Sequence, residues 1–499
     1  MYIIQLLLSF FIVHCYLAVD KVDRSSNSNI LNILYLSDFH IDIFYDSNSL
    51  VDSYLCKKIL TKEQDELVYD SNVSLESNDF GKFGCDTNKN LLTAILDKAL
   101  LEQGDKDYDA IIILGDTFGH LLNKDKKNIL KNYDNSIKYL SKEIKERFPL
   151  TKIYFTFGNN DFTTRYGLPD SVESYNMEVA RMQKNLIHIP YKSNYKFDFI
   201  RLTNNDYFYK KSKMRYFNKL NTAPNEFKKI DKTINIKKLW YSEKLSKNLL
   251  MIFVNSVLFS VKANLSNSKV LNELAYLQLK FIKQKLLYAK KNKLKVILNY
   301  HVPIHSNFYN KKIHENWKFK FAKIFDNLCL KFKNTIIIIF SSHLHVGGFS
   351  IRKTTSNNNY LSIFQIPGVS PSNNSNPGFT IVNINKNTSN ISSIVNHYLD
   401  LDVSNRDGHA VFQKYDIKEK FGIKNFGKKS FLKLMNERDL KDNKMETYLM
   451  YEKGIISSNN SNVTSNESSN AISDLELIKC SSYVISNNEI KEKCGININ

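Results

Sequence analysis

Glycine and proline are scarce in this 499-residue chain, at 16 and 8 residues. That scarcity excludes collagen-like and low-complexity Pro/Gly architectures. Long hydrophobic runs are missing as well: after the first 18 residues no stretch stays apolar for the roughly 20 residues that cross a bilayer, so the body of the chain is expected to be soluble. Those first residues, MYIIQLLLSFFIVHCYLA, carry no charge before Asp20 and read as a signal peptide over 1–18. The absence of Lys and Arg from their start, and the interruptions at His14 and Cys15, keep an uncleaved signal anchor open as the alternative. What the chain has in quantity is aromatic residues, 32 Phe and 28 Tyr, within a hydrophobic content of 42% that rules out disorder throughout. The length allows a core of full size, in two or three domains or in one large catalytic domain with appendages.

The net charge is +20. Its lysines are scattered beside Asn and Ile rather than grouped, which argues against specific nucleic-acid binding. They still create a positive field that attracts anionic substrates or a membrane surface. Oligomeric state is not legible. With a cleaved signal, five cysteines remain; Cys56 with Cys85 and Cys480 with Cys494 are the expected pairs in an oxidising compartment, leaving Cys329 free, although sequence alone does not determine connectivity. Acceptor sequons at Asn72, Asn264, Asn387, Asn462 and Asn466 suit a secreted or lumenal glycoprotein, with little weight in an Asn-rich chain.

Short runs of β-branched and aromatic residues recur, each ending in a polar cluster: ILYL at Ser37, AIIIL at Gly115, KIYFTF at Gly158, KVIL at Asn299, TIIIIF at Ser341. They read as buried strands. Between them lie helices, one from Asn88 with Leu91, Leu92, Ile95, Leu96 and Ala99 on one face and Asp86 or Thr87 as its cap, another from Asn272 with Leu274, Leu277, Leu279, Phe281, Ile282, Leu286 and Leu287. The alternation implies α/β layers. Residues 191–247, rich in Lys, Asn and Tyr, read as an insertion beside a domain spanning 30–400; 401–456 reads as a helical C-terminal region, 457–470 as a Ser/Asn linker and 471–499 as a Cys-containing tail.

The polar clusters fall at the C-terminal ends of the strands, the edge where α/β sheets place their sites. SDFHID supplies Asp38 and His40; GDTFGH, Asp116 and His120; GNND, Asn159, Asn160 and Asp161; NYHVPIH, His301 and His305; SSHLHVGG, His343 and His345. Imidazole mixed with carboxylate suits zinc, manganese or iron better than calcium. Each motif alone is weak, but a D-x-H, GD, GN-x-D, isolated His and H-x-H succession has no common structural explanation. Asp116 is the natural carboxylate to bridge two ions, which would clamp a phosphoryl oxygen and activate a water.

This succession resembles the calcineurin-like metallophosphoesterase superfamily, and within it the acid sphingomyelinase-like phosphodiesterases and their endopolyphosphatase relatives. GKFGCD followed by NLL, GDTFGH with His120, and IPGVSPSNNSNPGFTIVNI narrow it, and the likeness covers roughly Leu31 to Asp400. The resemblance implies a four-layer α/β/β/α sandwich with a helical C-terminal region, and two divalent metal ions, zinc first, with manganese or iron as alternatives. It implies Asp38, His40, Asp116 and His345 around one ion, and Asp116, Asn159, His301 and His343 around the other. It also implies catalytic roles for His120 and for position 160, where Asn160 replaces a histidine and has no proton to give as an acid. Ser342 and His305 also depart from the pattern, and His305 reads as a surface or locally bonded residue. No saposin-like Cys-rich module precedes the catalytic region, which weakens sphingomyelin as substrate.

The leading expectation is therefore a secreted or lumenal di-metal phosphoesterase attacking phosphodiester or phosphoanhydride bonds through metal-bridging hydroxide. An endopolyphosphatase acting on polyphosphate is the enzymatic alternative. A non-catalytic basic surface-binding protein that keeps the fold is the alternative from another class.

Overall fold

The computed structural model describes residues 29–46, 56, 79–120, 128–166, 172–187, 199–202, 234–263, 269–309, 312–353, 360–440, 448–450, 452–454, 480–481, 484–486 and 489. The expected signal peptide, the Ser/Asn linker, Cys494 and most of 191–247 lie outside them. In chain order the strands are β1 (Ile30–Leu36), β2 (Ala110–Ile113), β3 (Ile153–Phe155), β4 (Phe199–Leu202), β5 (Ile234–Lys237), β6 (Tyr241–Ser246), β7 (Leu249–Val254), β8 (Lys295–Tyr300), β9 (Asn307–Tyr309), β10 (Lys312–His314), β11 (Ile336–Ser341), β12 (Gly348–Lys353), β13 (Tyr360–Gln365), β14 (Gly378–Asn385), β15 (Ile391–Leu399) and β16 (Phe412–Asp416). The helices are α1 (Lys89–Gln103), α2 (Ile129–Arg147), α3 (Val172–Leu186), α4 (Lys269–Lys291), α5 (Phe319–Lys331), α6 (Leu401–Asp407), α7 (Ile417–Phe421) and α8 (Lys428–Leu440).

Two six-stranded mixed sheets carry the molecule, ordered β16-β15-β14-β1-β2-β3 and β12-β13-β11-β8-β7-β6. In the first, β1 to β3 run parallel and β14 to β16 are antiparallel; in the second, β7, β8, β11 and β13 are parallel, with β6 and β12 as antiparallel edges. Side chains alternate across each strand. Ile33, Tyr35 and Ile112 of the first sheet meet Met251, Phe253, Ile297 and Phe340 of the second in one core. Their sequence neighbours Leu34, Leu36, Ile111 and Ile113, and Ile252, Val254, Val296 and Leu298, belong to the core that also takes Leu91, Leu92 and Ile95 of α1 and Leu274, Ile282 and Leu286 of α4. The result is helix, sheet, sheet, helix. Strands covered on both faces need continuous apolar runs, and that is what the sequence supplies.

Four local expectations change. The α1 cap is Asn88, whose Oδ1 accepts from the Leu91 backbone N–H at 2.8 Å, rather than Asp86 or Thr87. Leu287 leaves the buried face of α4 and is exposed. Tyr241–Ser246, expected inside the 191–247 excursion, is the edge strand β6 paired with β7, the latter an apolar LLMIFV run that the strand reading passed over. The expected helical region 401–456 contains β16, because the open edge of β15 pairs with FQKYD. Phe431, Met435 and Tyr448 from that region still pack into the core between the sheets.

Candidate metal centre

Every predicted ligand lies just beyond the C-terminal end of a parallel strand: Asp38 and His40 after β1, Asp116 after β2, Asn159 after β3 with Asn160 beside it, His301 after β8, His343 and His345 after β11. The two sheets therefore bring one edge each to a common cleft. The chain turns sharply to present these groups. Asp38, His40, Asp116, His343 and His345 all hold left-handed backbone, at φ 49, 38, 54, 81 and 59°, a conformation uncommon outside glycine and concentrated at functional sites. The glycines of GD and GN follow from close packing. A Cβ on Gly115, itself at φ 94°, would strike the Gly158 backbone, and one on Gly158 would strike the Asp116 carboxylate.

The predicted ligands converge in two groups, Asp38, His40 and His345 in one and Asp116, His301 and His343 in the other; His40 also lies within ligand distance of Asp86 and His120. Asp116 Oδ2 faces both, 3.4 Å from His40 Nε2 and 3.2 Å from His301 Nε2. Asn159 Oδ1 approaches His301 Nε2 at 3.2 Å, and Asp38 Oδ1 stands 3.5 Å from His345 Nε2 and 3.9 Å from His301 Nε2.

The outward nitrogens of three histidines are already committed. Nδ1–H of His40 donates to the Phe118 carbonyl at 3.0 Å, that of His301 to Leu114 at 2.7 Å, and that of His345 to Ser370 at 3.3 Å. A backbone carbonyl can only accept, so each ring, when neutral, presents a bare Nε2 lone pair inward. Two such atoms, on His40 and His345, face each other at 3.1 Å. Asp38 Oδ1 is buried and accepts no hydrogen bond among the described residues. Facing lone pairs and an orphaned carboxylate oxygen are what a divalent cation resolves, so the residues fit a two-ion site.

His343 differs, since its Nε2 is bonded to the Tyr166 hydroxyl at 3.2 Å, which leaves Nδ1 to serve the cluster. Burial and the Asp116 carboxylate raise the Tyr166 phenol, so it stays protonated. Burial lowers His40, His343 and His345, which favours the neutral, ligating imidazole. Burial also opposes charge on His301, but Asp116 and Asp38 outweigh it and lift the imidazole to about 9, so His301 would have to release its Nε2 proton to ligate an ion. Against its own burial, Asp116 is held well below the usual carboxylate range by His301 and His40.

Several residues act around this ring. His120 is held by Asp86, which accepts its backbone N–H at 2.6 Å and its Nδ1–H at 2.7 Å; the His120 ring stacks on His40 at 4.0 Å. Asp86, which the sequence suggested only as a helix cap, is thus the residue that aims His120. Asp161 accepts the backbone N–H groups of Gly158, Asp116 and Thr117 at 2.6, 2.9 and 2.8 Å, and the Thr117 hydroxyl at 2.7 Å. It ties the β2 and β3 ends together, and burial with the nearby Asp116 charge pushes it up to about 6. Asn160 grips Asp116 from backbone N–H at 2.7 Å and from Nδ2 at 2.8 Å, while its Oδ1 accepts from Arg165 Nε at 3.1 Å. Its side-chain amide is thus engaged at both ends.

His305 is buried with Nδ1 on the Ser306 carbonyl, His314 and His409 are exposed, and His397 stacks on Phe379; none joins the cluster. Cys56 and Cys85 form the expected disulfide, with Cα atoms 5.6 Å apart, Cys329 is free and buried, and Cys480 is disulfide-bonded. Among the described residues no helix is long and apolar enough to cross a membrane.

Comparison with known proteins gives a match between residues 31–347 and the family described as calcineurin-like phosphoesterase. Sphingomyelinase phosphodiesterase D of Dictyostelium discoideum is 24% identical over 417 residues, covering 79% of this chain and 83% of that protein. Among solved structures, a dimetal phosphatase from Danio rerio superposes with a TM-score of 0.39 at 9% identity, over 73% of this chain and 95% of the other. GAP50, the anchor in the inner membrane complex of Plasmodium, gives 0.36 at 15%, over 78% and 89%.

Proposed function

Since this chain belongs to the calcineurin-like phosphoesterase family and is a metal-dependent phosphoester hydrolase, we propose that it is a phosphodiesterase of acid sphingomyelinase-like type, acting on phosphodiester or phosphoanhydride bonds in a secreted or lumenal compartment. The observation that carries this reading is the pair of lone-pair convergences that share Asp116 Oδ2. Asp38, His40, Asp116 and His345 would hold one ion and Asp116, Asn159, His301 and His343 the other. Zinc suits the imidazole-rich donor set best, with manganese or iron as alternatives. Such ions, when bound, supply Lewis acidity toward a phosphoryl oxygen and activate water as nucleophile.

The chain's own contribution is positional. Asp161 keeps the Asp116 and Asn159 loops in register, and Tyr166 fixes the His343 ring. His120 is placed to give a proton to the leaving oxygen as its bond to phosphorus breaks, with Asp86 holding the ring in place. The Cys56–Cys85 disulfide and the exposed sequon residue Asn387 support an oxidising, lumenal route. An endopolyphosphatase-like substrate range is the second reading, favoured by the +20 charge and by the absence of a proton donor at Asn160.

The test is metal content together with hydrolysis of bis-nitrophenyl phosphate, sphingomyelin, nucleotides and polyphosphate, with and without chelator. Chelator-sensitive turnover of at least one substrate is expected. A metal-loaded protein that cleaves none of them would favour the non-catalytic binding protein.

A further inference from the structure

Two cations border the centre on the side of Asn159, His301 and His343. Arg165 is half-buried, and its Nε donates to Asn160 Oδ1 at 3.1 Å. Asn160 in turn donates to Asp116 Oδ2, so one amide ties the guanidinium to the carboxylate shared by the two groups. Lys262 approaches from the loop after β7; its Nζ lies 5.4 Å from the centre of the Tyr166 ring, and the Tyr166 hydroxyl reaches His343. Neither cation forms an ion pair with a described carboxylate. Structural arginines in this chain do otherwise: Arg147, Arg181 and Arg352 each meet an acid at 2.6 to 2.9 Å.

A diester of a neutral alcohol offers one negative charge, and a two-ion centre already meets it. Cations set beside the ions add binding only for a substrate that carries more anion than the reacting phosphoryl group. A guanidinium whose Nε is occupied keeps its Nη hydrogens for phosphate oxygens, the geometry in which Arg binds phosphate best. Asn160 suits this arrangement, because an amide donates to Asp116 and accepts from Arg165 at once, which a neutral imidazole facing the same two partners does only in one tautomer.

We propose that Arg165 and Lys262 form an anion subsite, oriented by Asn160 and Tyr166, that binds a second phosphoryl group covalently joined to the one attacked. This deepens the phosphoesterase reading above and rests on it. The subsite makes phosphoanhydrides and terminally phosphorylated substrates better than simple diesters. A phosphate displaced from such a substrate is far less basic than an alkoxide, so it depends on neutralisation of its charge by these cations more than on the proton that His120 gives to an ester oxygen.

The experiment uses the full-length, metal-loaded protein with tripolyphosphate and bis-nitrophenyl phosphate. Arg165→Gln should lower the ratio of kcat/KM for tripolyphosphate over that for the diester about tenfold or more, the range for hydrogen bonds to charged groups. Lys262→Gln should lower it about three- to tenfold, less because the ammonium is exposed. The losses should sit in KM for tripolyphosphate, and Lys262→Arg should restore most of the ratio. Melting temperature and metal content establish that each variant is folded. A ratio unchanged in both folded variants overturns the subsite, as does a wild type that cleaves the diester but neither cleaves nor is inhibited by tripolyphosphate. If the wild type cleaves neither substrate, the phosphoesterase reading fails separately. Calorimetry of tripolyphosphate binding then decides the subsite: weaker binding by both variants supports it, and no binding by wild type overturns it.

Discussion

Replacing Asp161 by alanine should damage stability and metal content together, because this one carboxylate holds two strand ends. It accepts three backbone N–H groups and one hydroxyl, all buried, at 2.6 to 2.9 Å. A buried donor left without a partner costs about 1–3 kcal/mol, so three backbone donors left dry would cost about 3–9 kcal/mol. The vacated space is lined by those same donors, and water entering it would satisfy some of them. The hydroxyl can rotate elsewhere. A loss of about 3–5 kcal/mol is the expected outcome, a large share of the stability of an ordinary domain. The effect should reach the centre, since Asp116 is itself a predicted ligand and Gly158 precedes Asn159, just beyond the ends of β2 and β3. Urea denaturation followed by circular dichroism, with metal content measured on the same preparation, tests both halves. Asp161→Asn, which keeps an acceptor oxygen but turns a donor toward the N–H groups, should fall between wild type and alanine. An alanine variant within about 1 kcal/mol of wild type and fully metal-loaded would refute the reasoning.

Asp116→Asn should abolish turnover and lower metal occupancy, as its Oδ2 faces both ligand groups; retained activity with two bound ions would overturn the ligand assignment. Asp86→Asn removes the charge that orients His120 and should cut hydrolysis about 10- to 100-fold for an alkoxide leaving group and less for nitrophenolate, metal content holding; equal losses on both would mean His120 is not the acid. Asn160→His frees Arg165 from its amide partner and should shift the preference from phosphoanhydrides toward choline-phosphate esters, an outcome that an unchanged ratio in a metal-loaded variant would reject. His397, stacked on Phe379, is depressed by burial to about 4 despite the nearby Glu102. The unfolded chain therefore binds more protons between about pH 6.5 and 4, and stability falls by up to about 3 kcal/mol as pH drops through that window. A neutral substitution such as His397→Gln should flatten this dependence in acid-titrated unfolding, and an unchanged slope would show that other groups set it.

Much of the site was legible because ligand chemistry limits which residue types can serve, and strand ends limit where they can stand. Asp38, His40, Asp116, His301, His343 and His345 each follow an apolar run of four to six residues, so their shared edge follows from α/β layering alone. The five main buried strands were readable for a related reason, since a strand covered on both faces has no polar alternation to obscure it. β7 shares that apolar pattern and was nevertheless passed over, whereas β6 and β16 escaped for physical causes. Tyr241–Ser246 is an edge strand with a mixed composition, and Phe412–Asp416 becomes a strand only because β15 offers it an unpaired edge.

The supporting groups were hidden differently. Asp86 precedes a helix and has the local appearance of a cap, yet its partner His120 is 34 residues away. Tyr166 reaches His343 across 177 residues, and Arg165 meets Asn160 where the chain turns left-handed at φ 57°. By itself, then, the sequence determined the layered fold and which side chains can hold metal, since hydrophobic period and ligand type are local properties. Tertiary structure decided which carboxylate faces both groups, which histidine nitrogen points inward, and which cations stand beside the centre with no acidic partner among the described residues, because hydrogen-bond partners are chosen by proximity in space.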